Sequence, residues 1–408
     1  MRPASGHQRL AGIATVAVTA VAAVLGTGCA VAGSANARHA GHRAASSVPS
    51  LAGTGAVYAP SGGPGGIAAV AALSGSDAWA VGVHEPLPKG IYPLTWHWNG
   101  HRWTVVPCPS PRGTGKPVRS ELVAVAIDAP NDAWAVGDWS PIERHAPSYA
   151  LIEHWNGTRW TMVPAPRPPG DTATGPIIAV TAISPTAVWA YGDGGIIRWD
   201  GTRWRFVTRP PLRGLGTQLS GMAVISARDI WMVGTVGVTK FRALAEHWDG
   251  SKWTIVPTPY AINGWTKKTI LFAVAGTSSS NVWAVGWYQS GPTGQDYSTL
   301  VEHWDGTRWQ VQPSPDGPRS GPESQLFGVA ALSRTSAWAV GDSSGPVPLI
   351  EHWDGVRWTA MRSRLRSHLS STALYHVVAV NPRYAWAYGD LLEKWNGTSW
   401  QQVPSPKP

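Results

Sequence analysis

Asp132-Ala133-Trp134-Ala135-Val136-Gly137-Asp138 is followed by Glu153-His154-Trp155-Asn156-Gly157-Thr158-Arg159-Trp160. The first motif recurs with small changes around Trp79, Trp134, Trp189, Trp231, Trp283, Trp338 and Trp386. The second recurs at Trp98/Trp103, Trp155/Trp160, Trp199/Trp204, Trp248/Trp253, Trp304/Trp309, Trp353/Trp358 and Trp395/Trp400. Seven copies of each, strictly alternating, absorb 21 of the 25 tryptophans. The chain is therefore a repeat array with a period of 42–55 residues.

Asn156-Gly157 between extended segments reads as a two-residue type I′ hairpin turn, because both central residues need positive φ. That register sets Trp155 opposite Thr158, His154 opposite Arg159 and Glu153 opposite Trp160, with the two indoles as diagonal neighbours on one face. Upstream of each first motif lies a short apolar strand, such as residues 122–127, joined to it by a polar turn such as Pro130-Asn131-Asp132. Four antiparallel strands repeated seven times predict an all-β fold, a seven-bladed β-propeller. Small residues dominate the first strand, as the crowded axis requires.

The paired motifs resemble the "WAVG…EHWDGTxW…VPxP" signature of Trp-rich tandem-repeat propellers from secreted actinobacterial proteins, over about residues 66–408. The resemblance implies the fold and carries no activity with it. WD-repeat kinship is discounted, because the Asp of Trp199-Asp200 sits in a turn and the Gly-His partner is absent.

Charged residues make up 14% of the chain while Gly (46) and Pro (35) are abundant, which fits short strands and many turns. Arg2 and Arg9 precede an apolar run over 10–28 and small-residue exits at Ala30-Val31-Ala32 and Ala35-Asn36-Ala37. This predicts a signal peptide at 1–37, a flexible leader at 38–62 and the propeller at 63–408. The expected location is secreted or cell-surface, with no transmembrane span and with Cys29 as an alternative lipid-anchor point. Removing 1–37 takes away two arginines and no acid, lowering the net charge from +9 to +7. That charge favours anionic cell-wall polymers or lipid head groups over nucleic acid. Cys108 falls where other copies carry Ala165 and Thr258, so it reads as a small neutral side chain. Histidines on different blades give no metal motif, and no cofactor motif is present; a monomer is expected.

The turns within each motif pair are short, whereas the segment from first-motif Trp to hairpin Trp runs from 9 to 21 residues. One face of the disc is therefore plain, and the other bears long, variable loops where function is expected. Glu153, Glu246, Glu302, Glu351 and Glu393 recur, as do His97, His154, His247, His303 and His352; recurrence marks them as structural. Departures from the repeat are more informative. Asp138, Asp193, Asp342 and Asp390 follow the motif Gly, where other blades carry Val83, Thr235 and Trp287. His376 replaces Ala or Gly on a first strand. Trp139 and Trp287 lie outside the motifs, beside the long loops. Aromatic faces with carboxylates suit a sugar. The expected function is an extracellular module binding a glycan, wall polymer or protein, with Trp139, Trp287, Asp138, Asp193, Asp342, Asp390 and His376 at the channel mouth. The alternative is a glycan hydrolase or lyase using Asp and His groups near the axis. On the plain face, Arg102, Arg159, Arg203, Lys252, Arg308 and Arg357 are expected to form a basic rim.

Overall fold

The computed structural model describes Thr19–Ala20 and residues 65–84, 91–111, 118–143, 146–167, 174–209, 216–237, 241–259, 268–290, 296–316, 324–343, 347–363 and 372–404. Apart from Thr19–Ala20, the expected signal peptide and leader lie outside these residues. Seven antiparallel sheets follow one another, each built of four strands consecutive in sequence. In blade 2 they are Val118–Ala129, Asp132–Pro141, Tyr149–Trp155 and Trp160–Met162, from axis to rim. Thr19–Ala20 adds to the free inner edge of blade 4, Thr19 opposite Met222 and Ala20 opposite Gly221. The described residues contain no helix, and hence none long and apolar enough to cross a membrane.

The motif glycine has a steric cause. Each innermost strand carries a β-bulge opposite it: in blade 2, Leu122 pairs with Gly137 and Ala124 with Val136, leaving Val123 unpaired. The bulge pushes the Glu121 carbonyl oxygen into the space that a Cβ on Gly137 would fill, and Gly82, Gly234, Gly286 and Gly341 meet the same overlap. Only glycine fits there.

The hairpin register differs from the sequence expectation. Trp155 pairs directly with Trp160, and His154 with Thr161. The loop holds four residues, because Asn156 Oδ1 accepts the N–H groups of Thr158 and Arg159 at 3.0 Å each. This side-chain turn competes with the two-residue backbone turn. Gly157, at φ 91°, takes the left-handed position.

The 21 motif tryptophans assemble as seven triads, one per blade interface. Trp79 of blade 1 meets Trp160 of blade 2 edge-on at 4.9 Å and lies tilted against Trp155 at 4.8 Å. The same triad closes the ring: Trp386 of blade 7 meets Trp98 at 5.3 Å and Trp103 at 5.6 Å in blade 1. Lys394 Nζ adds a cation–π contact there, 4.9 Å from the Trp98 ring. Blade 7 is complete within Leu374–Gln402, so the described ring closes by face packing without a shared sheet.

Candidate functional site

The recurrent polar residues serve the scaffold. His97, His154 and His247 bond Asp77, Asp132 and Asp229 at 2.8–2.9 Å while their rings lie on the buried motif tryptophans. Arg198 takes the same place over Trp189 in blade 3, 5.5 Å from the ring. The recurrent glutamates are wholly buried and face the preceding blade. Glu246 receives two bonds from Arg209, Glu351 one Ser314 hydroxyl set between its two oxygens, and Glu393 one bond from Ser363. Among the described residues neither oxygen of Glu153 or of Glu302 has a hydrogen-bond partner. Burial pushes the carboxyls of Glu153, Glu302 and Glu351 up to about 8. Cys108 stands at the Ser314 step beside Glu153, its thiol raised by burial and then by that carboxyl. A raised pKa makes it a poor nucleophile.

The departures from the repeat fall into two groups on the loop-bearing face. In blade 2, the second strand runs on past the disc to Pro141 and carries Asp138 and Trp139. Trp139 pairs across the sheet with Tyr149, and the two rings stack at 4.8 Å and 25°, both partly buried. On the opposite sheet face Asp138 accepts a 2.6 Å bond from Ser148 and lies directly across from Glu121. Arg119 donates to Glu121 at 3.1 Å. Burial raises the Glu121 carboxyl; Arg119 opposes this and Asp138 adds to it. Hydroxyl, guanidinium and paired carboxyls thus occupy one face of this strand end, and the aromatic pair occupies the other. Asp193 lies on the next blade in a tight turn, exposed, where blade 3 has no long loop.

The second group spans blades 5–7. Trp287 is 5% exposed and meets Tyr297 edge-on at 4.4 Å, packed with Phe272, Phe327 and Tyr375. Phe272, Phe327 and Tyr375 are the unpaired bulge residues of adjacent innermost strands, and their rings touch in sequence at 5.4 and 5.5 Å. Asp342 and Asp390 both act on Tyr375, whose hydroxyl is raised to about 12 by burial first and these carboxylates second. Asp390 accepts the Ala373 N–H at 2.9 Å, a turn-fixing bond.

His376 stands apart from both groups. It is buried at the blade 7–blade 1 seam, stacked on Tyr388 at 4.7 Å, and desolvation holds its imidazole down at about 3. It therefore stays neutral at ordinary pH and offers no titratable group to a ligand. Sequence reasoning missed Glu121, Arg119, Ser148 and the bulge aromatics. The bulge step varies from Ala68 to Phe327 through Ser220, a variation visible once the bulge is aligned. Among the described residues no group of three or more His, Cys, Asp or Glu is placed to hold a metal ion.

No family model and no curated protein matches the chain. Similar solved structures include a GH74 xyloglucanase from Xanthomonas campestris, 14% identical over 84% of this chain and 53% of that one, with a TM-score of 0.54. The tricorn protease is 10% identical over 85% of this chain and 36% of that one, at a TM-score of 0.51. This chain spans about half of the first and about a third of the second. Likeness at such identity concerns the backbone, and with the seven four-stranded sheets it establishes an all-β, seven-bladed propeller.

Proposed function

We propose that the chain is a secreted binding module for a glycan, of the Trp-rich actinobacterial propeller type, with blade 2 of the loop-bearing face as its contact point. The observation that carries this reading is the partly exposed Trp139–Tyr149 stack, with Asp138, Ser148, Glu121 and Arg119 on the other face of the same strand end. Sugar C–H faces stack on such a platform, and a glycan that passes over the strand end brings further hydroxyls to the donors and acceptors on the other face. No other blade combines these groups at its described loop end. Wall polymers carrying sugars fall in the same class; an extracellular protein is the alternative partner.

A glycan array with the purified protein, followed by titration of the best hit, tests it. Trp139→Ala is expected to weaken binding by about 1–3 kcal/mol, as for an aromatic anchor, with the thermal midpoint nearly unchanged. Trp287→Ala is expected to act on stability instead, because that ring is buried. Undiminished binding by Trp139→Ala would overturn the assignment. The hydrolase or lyase reading has one feature in its favour, the Glu121–Asp138 carboxyl pair. Release of new sugar ends from the same glycan, abolished by Glu121→Gln, would establish it over the binding module.

A further inference from the structure

The face of short turns lies opposite the loops, and each of its turns falls within the described residues. Arg102, Arg159, Arg203, Lys252, Arg308 and Arg357 occupy one step of the turn between third and fourth strands in six blades, all exposed. Their backbone N–H groups are pinned to the Oδ1 of the Asn or Asp three residues earlier, at 2.9–3.0 Å. Among the described residues their side chains make no hydrogen bond or ion pair.

The acids of these turns are held first by their own turn amides, although Asp249 and Asp354 also feel the rim cations Lys252 and Arg357. Asp200, Asp249, Asp305 and Asp354 each take two amides of their own turn. The second oxygen of Asp200 takes Arg205 at 2.6 Å, and that of Asp305 takes Gln310. Blades 7, 1 and 2 carry uncharged Asn396, Asn99 and Asn156 at this step. Blade 7 has Ser399 in place of the cation, and there the Arg383 side chain lies against Gly397. The cations therefore follow the rim around the whole disc.

We propose that this rim binds a linear polyanion carrying repeated phosphate groups, independently of the loop-bearing face. Five of the six rim cations are arginines, whose planar fork matches phosphate oxygens in pairs. Each contact is weak in water, and a polymer that meets several rim positions at once gains by linking them. An anionic membrane fits less well. The turn tips beside the cations are His101, Thr158, Thr202, Ser251 and Thr307, and Val356 is the one apolar tip.

The test uses the native chain against immobilised inorganic polyphosphate at 50 and 200 mM NaCl. Arg102→Gln/Arg159→Gln/Arg357→Gln is expected to bind at least tenfold more weakly at the lower salt. Its log–log salt slope is expected to flatten by about 2, since each phosphate contact contributes roughly 0.7–0.9. The charge-matched control Arg167→Gln/Arg242→Gln/Lys268→Gln is expected to bind within twofold of the native chain. An equal loss in both variants would reduce the effect to net charge and overturn the rim. So would an unchanged rim variant, or binding to phosphatidylglycerol vesicles without binding to polyphosphate.

Discussion

Glu153, Glu302 and Glu351 hold identical places in three blades and share one consequence for pH. Burial lifts each carboxyl from 4.5 to about 8 in the folded chain. Across that interval the folded form holds more protons than the unfolded form, so the stability they confer falls as pH rises. His376 works the other way. Its imidazole is pushed from 6.5 down to about 3, so its contribution is lost as pH falls through that interval. Three carboxyls outweigh one imidazole, and the thermal midpoint is expected to be higher at pH 5 than at pH 8. Glu302→Gln, which removes a carboxyl whose oxygens have no partner among the described residues, is expected to flatten that decline in a calorimetric pH series. A midpoint that climbs from pH 5 to 8 would contradict the account. Recurrence alone identified these glutamates as structural. Which of them lacks a partner depends on the residue facing it from the preceding blade, Ser314 in one case and Cys108 in another, and sequence order does not announce that pairing.

The blade owes its shape to the bulge opposite the motif glycine. Gly137→Ala would set a methyl group against the Glu121 carbonyl, with backbone on both sides and no flexible side chain to yield. A loss of about 2–4 kcal/mol in chemical denaturation is expected, several times the usual effect of exchanging these residues. Strand number, order and face pattern were legible because the tryptophans and Asn-Gly or Asp-Gly pairs mark every hairpin. The register was not, since a two-residue turn and a side-chain-capped four-residue loop share the same letters. The bulge was hidden for a similar reason: one unpaired residue inside an apolar run leaves the run apolar. That single residue decides which side chains leave the regular face alternation, and so it also hid Phe272, Phe327 and Tyr375.

At the scale of the whole disc, loop lengths correctly divided a plain face from a loop-bearing one, but the division of candidate residues between blades was less accessible. Trp139 and Trp287 were read as equivalent rings, yet Trp287 takes the step of Asp138 and points into the next blade, where Phe327 covers it. A neighbour across an interface is set by rank around the ring, and no local pattern encodes burial by such a neighbour. The Trp386–Trp98–Trp103 triad has a different bearing, on ancestry and engineering. Since the join between last and first blade repeats the packing of every other join, each blade behaves as a cassette. A gene reopened between residues 111 and 118, with residue 404 tied to residue 65 by a Gly/Ser tether, is expected to yield a circular permutant with nearly the native melting curve. A permutant that fails to fold would mean that one join is privileged. If it folds, the coding sequence can begin at a second place in the ring, and unequal recombination between repeats can add or remove a blade while every remaining join keeps its tryptophan triad.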